Sequence, residues 1–158
     1  MKYFTFMDKD TFTYSRSKIW DTVLNVTAWP QLWKNVSRVQ VHTKGEISSD
    51  SKIDCYFRLF YLLHLRFDIQ ISKIQKPSYA SFNIGGGFSG QGRWILRENE
   101  NETLSTLYLH LSTHHSLLRF VSFLPYGESL IQYSHRRVIL EGKRMIIKRL
   151  SCTYCLSI

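Results

Sequence analysis

From Val39 onward, apolar and polar side chains alternate with a period of two. Val39 and Val41 alternate with Arg38, Gln40 and His42. Ile53, Cys55, Phe57 and Leu59 alternate with Lys52, Asp54, Tyr56 and Arg58. Leu65, Phe67, Ile69 and Ile71 alternate with His64, Arg66, Asp68 and Gln70. Ala80, Phe82 and Ile84 form a shorter run, and Gly92, Trp94 and Leu96 follow a glycine cluster. Leu107, Leu109 and Leu111 alternate with Thr106, Tyr108 and His110. Such alternation predicts strands with one apolar face, and brief polar breaks between them predict an antiparallel meander. Gly45-Glu46 and Asn99 to Glu102 read as turns. Strands this numerous must curl, and their apolar face needs a cover.

Elements of other kinds flank the meander. Phe4 to Tyr14, rich in Phe, Thr and Tyr, reads as extended. Ser15 is placed to cap a short helix over Lys18 to Asn25, with Ile19, Trp20, Val23 and Leu24 as its apolar stripe. Pro30 can start a second helical turn that carries Trp33 inward. Ser116 to Leu124 reads as a short apolar helix ended by Pro125 and Gly127. Glu128 then opens the longest helical stretch. Leu130, Ile131, Ser134, Val138, Gly142 and Met145 share one stripe of it, while Arg136, Arg137, Lys143, Arg144 and Lys148 fall largely elsewhere. The expected architecture is α+β, with a curved antiparallel sheet, two short N-terminal helices and a long C-terminal helix over the sheet. One domain over residues 1–150 and a tail at 151–158 account for the chain.

This order of elements resembles the START-related helix-grip superfamily, which includes polyketide cyclases and dehydrases, lipid-transfer domains and pathogenesis-related allergens. Ser15-Arg16-Ser17-Lys18-Ile19-Trp20 is similar to the capped first helix of that superfamily. Trp29-Pro30-Gln31-Leu32-Trp33 is similar to its Trp-Pro-x-x-Trp segment, and Phe88 to Trp94 to its glycine-punctuated strand pair. The resemblance covers about Phe4 to Leu150 and rests on scaffold features. It implies a cavity between sheet and helix, with cyclases, carriers and sensors all among the functions such a cavity serves.

Composition narrows the picture in two ways. Hydrophobic residues make up 44% and aromatics 15% of 158 residues, enough for a wide core or a lined cavity. A net charge of +9 attracts anionic surfaces but does not choose among them. Nucleic acid is not expected, because the aromatics alternate inward and are not interleaved with positive charge on an open platform. The three cysteines, Cys55, Cys152 and Cys155, form no disulfide framework. No secretory leader or membrane span is read, so a cytoplasmic location is expected, with peripheral contact at an anionic membrane as an option.

Candidate chemistry is sparse. Gly85 to Gly90 satisfies G-x-G-x-x-G, but a strand follows it, so no helix N-terminus is expected to hold a pyrophosphate. The cluster reads as a bend in a curled sheet. His114-His115 has no further ligands at metal spacing, and no metal or cofactor is expected. Cys152-x-x-Cys155 lacks a second pair, and Cys155 to Ile158 fits a prenylation box poorly at Ser157. The inward strand row carries no acid or base, and its one nucleophile is Cys55. The preferred reading is a binding module for a lipid, polyketide, isoprenoid or pigment. Its expected lining is Phe57, Leu59, Phe67, Ile69, Phe82, Trp94, Leu107, Leu109, Ser134, Val138 and Met145, with Tyr108 and His114 at the polar mouth. A cyclase or dehydrase reading stays open and requires Tyr56, Tyr79, Tyr108 or His114 to face the cavity. A third reading docks the basic helix face of Arg136, Arg137, Lys143, Arg144 and Lys148 on anionic lipid.

Overall fold

The computed structural model describes residues 2–59, 63–113, 116, 120 and 123–155. The His114-His115 pair, most of the expected Ser116 to Leu124 helix and residues 156–158 lie outside the described residues, as does the side chain of Leu59.

Seven strands form one sheet in the order β1-β7-β6-β5-β4-β3-β2, with every neighbouring pair antiparallel. The strands are β1 (Lys2–Phe12), β2 (Val36–Val41), β3 (Lys52–Leu59), β4 (Leu63–Gln75), β5 (Tyr79–Gly86), β6 (Ser89–Glu98) and β7 (Thr103–Thr113). The meander runs from β2 to β7, and β1 returns to pair with β7. Register shifts at Val36/Arg38 and at Ile71/Lys73 mark bulges, which bend a strand and raise its twist. The turn from β5 to β6 is the glycine bend. Gly86 has φ of +95°, and a Cβ there would run into the Arg66 carbonyl, so the position takes glycine alone. A strand follows it, as the sequence predicts, and no phosphate-holding helix N-terminus is formed.

Helix α1 (Arg16–Leu24) and α2 (Trp29–Leu32) sit between β1 and β2, joined by a 3-10 turn at Val26–Ala28. Helix α1 starts two residues earlier than its apolar stripe suggests, at Arg16 rather than Lys18. Ser15 occupies the N-cap position, yet its side chain makes no cap hydrogen bond. The Arg16 backbone N–H instead donates to Glu98 Oε1 at 3.2 Å. The loop side of the sheet thus supplies the anion that the first turn favours.

Helix α3 (Gly127–Cys155) crosses the concave face and runs on into the segment expected to be a tail. Its C-terminal half closes a solid core. Ile146 and Leu150 pack there with Phe12, Ile19, Trp20, Ala80, Trp94 and Leu96. Trp20 and Trp94 stack with ring centroids 5.4 Å apart. Trp94 Nε1 donates to Ser105 Oγ at 2.8 Å, so the indole buries its donor without loss. Beside this core, the interior opens toward the N-terminal half of α3.

Candidate ligand cavity

The strand period decides what faces α3. Ile53, Cys55, Phe57, Phe67, Ile69, Phe82, Trp94, Leu107 and Leu109 all point into the space beneath it, as the alternation predicts. Leu65, from the same row, is buried beside Gly87. Two apolar chambers result. The smaller, about 220 Å³, lies toward the solid core among Phe12, Ile19, Ile53, Ile71, Trp94 and Ile146. The larger, about 320 Å³, lies among Phe57, Phe67, Phe88, Leu109, Leu111, Ile131 and Val138. Trp29, Trp33, Ile69, Phe82, Leu107 and Ile139 line both, so the chambers are neighbours across one shared wall.

Trp33 is held in that wall by a close approach to the helix. A Cβ on Gly142 would run into the Trp33 indole, so glycine lets the ring lie against the α3 backbone. Trp29 meets Trp33 edge-on at 5.9 Å and donates its Nε1–H to the Val23 carbonyl at 2.7 Å. The Trp-Pro-x-x-Trp segment therefore builds the partition between chambers.

On α3 the lining differs from the expected stripe. Ser134 and Val138 face the larger chamber. Met145 is half-buried but lines neither chamber, and Leu130 is 44% exposed. The observed stripe is Ile131, His135, Val138, Ile139, Gly142, Ile146 and Leu150, rotated by about one position. Lys143 was expected on the outer basic face but lines the smaller chamber. Arg136, Arg137, Arg144 and Lys148 are exposed. Tyr108, expected at the cavity mouth, lies on the opposite sheet face beneath the Arg93 guanidinium, 4.6 Å from the ring centroid. Its neighbours Leu107 and Leu109 take the inward positions. Tyr56 likewise lies under Arg38 on the outer face. His114 lies outside the described residues.

Sequence reasoning missed the polar wall. Strand β1 presents Phe4, Phe6, Asp8, Asp10 and Phe12 on its buried side, with Thr5, Met7, Lys9 and Thr11 exposed. His135 Nε2 lies 2.7 Å from Asp8 Oδ2, and Lys143 Nζ lies 3.1 Å from Asp10 Oδ1. The His135 ring also stacks on Phe6 at 4.0 Å. The expectation of an inward surface without acid or base is thus corrected at the seam of β1 and α3. The signal was present: a period of two places Asp8 and Asp10 on the face of Phe4, Phe6 and Phe12.

Cys55 lines the larger chamber, and burial pushes its thiol up to about 11. It is a protonated, inert side chain at neutral pH, which removes the one nucleophile the sequence suggested. On the outer face, Asp54 accepts hydrogen bonds from His42 Nε2 and Arg66 Nη2, both at 3.0 Å. Arg66 Nε also reaches Asp68 at 3.0 Å. Asp54, Asp68 and Arg66 point away from the cavity, as the alternation predicts. Among the described residues, no group of three or more His, Cys, Asp or Glu is placed to hold a metal ion. No helix among them is long and apolar enough to cross a membrane.

No protein-family model and no curated protein sequence matches the chain. Solved structures do. A conserved protein from Geobacillus kaustophilus superposes with a TM-score of 0.76 over 95% of this chain and 97% of its own, at 10% identity. The Zhui aromatase/cyclase from Streptomyces sp. R1128 gives 0.73 over 94% and 93%, at 8% identity. Ara h 8.0201 gives 0.68 over 95% and 99%, at 13% identity. The chain has the helix-grip fold. In helix-grip terms, α3 is the gripped helix and the two chambers lie between it and the sheet.

Proposed function

We propose that this protein binds a hydrophobic small molecule, such as a lipid, polyketide, isoprenoid or pigment, between the sheet and α3. The observation that carries the reading is the pair of adjoining apolar chambers, about 220 and 320 Å³. Together they reach the ~300–1,000 Å³ usual for small-molecule sites. An apolar space of this size stays dry or takes an apolar guest, because water would find too few polar partners. Native mass spectrometry of the gently purified chain tests the reading. The expected result is a non-covalent adduct that is lost on collisional activation. A bare chain that also refuses an added fatty acid would contradict it.

A second reading, cyclase-type catalysis, has one observation in its favour. The Asp8–His135 pair supplies a carboxylate-oriented imidazole on the wall of an apolar cavity, the arrangement that general acid–base work requires. Aromatase/cyclase structures are among those that share the fold. Of the tyrosines named for this reading, Tyr56 and Tyr108 pack under arginines on the outer face, and Tyr79 lines neither chamber.

A further inference from the structure

The larger chamber is apolar except at a few atoms, and most of those are already engaged. The Ser134 hydroxyl donates to the Leu130 carbonyl at 2.8 Å. The Trp29 N–H is spent on the Val23 carbonyl, and the Trp33 N–H is turned against Gly142. The Cys55 thiol is a weak donor held protonated by burial. That leaves His135.

The His135 ring lines the larger chamber, and its Nε2 is taken by Asp8. A carboxylate only accepts, so Nε2 carries the hydrogen. In the neutral imidazole that fixes the tautomer, and Nδ1 is then a lone-pair acceptor. Asp8 is the hydrogen-bond partner that the structure gives His135. The ring cannot swing away freely, because Phe6 is stacked on one face at 4.0 Å. Both Asp8 and His135 side chains are about four-fifths buried, at 19% and 18% exposure. Burying the Asp8 carboxylate in an apolar wall costs free energy that packed hydrophobic residues would avoid.

We propose that the Asp8–His135 pair is the polar anchor of the cavity and selects ligands that bring a hydrogen-bond donor, namely aromatic or polycyclic molecules bearing a hydroxyl. The acceptor at Nδ1 takes the ligand O–H, while Phe57, Phe67, Phe82 and Phe88 surround the apolar body. An ether or ketone oxygen, having no hydrogen to give, gains nothing at this position. This inference rests on the proposed cavity-binding function and specifies its ligand class.

Three probes of one shape separate the possibilities: naphthalene, 2-naphthol and 2-methoxynaphthalene, titrated into the full chain by calorimetry. The expected result is that 2-naphthol binds about fivefold tighter than the ether or the hydrocarbon, the worth of one net hydrogen bond. His135→Phe, which keeps an aromatic ring on Phe6, erases the difference while naphthalene still binds. Should that variant fail to fold, the wild-type imidazole nitrogens report directly. Their ¹⁵N resonances shift on adding 2-naphthol and stay put on adding 2-methoxynaphthalene. Equal binding of all three probes overturns the anchor and leaves the cavity function standing. A hydroxyl preference that survives His135→Phe overturns it too. If no probe binds at all, the cavity function falls with it.

Discussion

Asp54 shows how a single side chain on the outer face adds stability. His42 donates to its carboxylate, and Arg66 adds a second hydrogen bond and a positive charge, so its pKa is lowered. A lowered folded-state pKa contributes stability that is present above the unfolded value and lost as pH falls through the folded one. Arg66 is more than half exposed, so solvent screening keeps the contribution modest. Asp54→Asn is expected to destabilise by about 0.5–1 kcal/mol at pH 7. The gap from wild type should shrink as pH drops below about 4, where an unfolded aspartate protonates. Urea denaturation at a series of pH values checks this, and a pH-independent gap would speak against it. Residue by residue, what was legible in the sequence followed the clarity of the local period. Positions such as Phe57 and Leu109 were placed correctly by alternation alone. Asp8 and Asp10 share the alternation of β1, yet what makes them a polar wall is their pairing with His135 and Lys143. Those partners lie far along the chain, on α3, and no local pattern announces the contact.

At the scale of elements, α3 is where expectation and structure part. Its helical period was evident, but its facing was read about one position off. The expected stripe began at Leu130, which is exposed, and ended at Met145. The observed one takes in His135 and Lys143, polar residues that a hydrophobic stripe excludes by definition. Their long side chains reach the apolar wall because each head finds an acid on β1. Gly142 falls on the expected stripe, and the Trp33 indole lies against it. Gly142→Ala puts two effects in opposition. Helix propensity favours alanine by about 1 kcal/mol. Overpacking against the indole costs about 1–3 kcal/mol. The net expectation is a small loss of stability, with a change in tryptophan fluorescence as Trp33 moves. A stabilised variant with unaltered fluorescence would show that the indole has slack at this contact.

Taken whole, the molecule divides its interior between two jobs. The end built by Trp20, Leu96 and Leu150 supplies the core, with Trp94 and Ile146 at its border walling the smaller chamber. The end built by Phe57, Phe67, Leu109 and Val138 is hollow. The architecture was legible from the sequence, since alternation, two short helices and a closing helix permit few arrangements. The hollow was not, because the same aromatic row can fill a core or line a cavity, and only the separation between α3 and the sheet decides which. The central claim is therefore about empty space, and titration with an amphipathic fluorescent dye, 1,8-anilinonaphthalene sulfonate, tests it most directly. Wild type is expected to show one saturable phase. Leu109→Trp and Val138→Trp, which fill the larger chamber from opposite walls, are each expected to weaken that phase by about tenfold while leaving the fold intact by circular dichroism. Absence of dye binding in the wild type, or equal binding by the filled variants, would contradict the account.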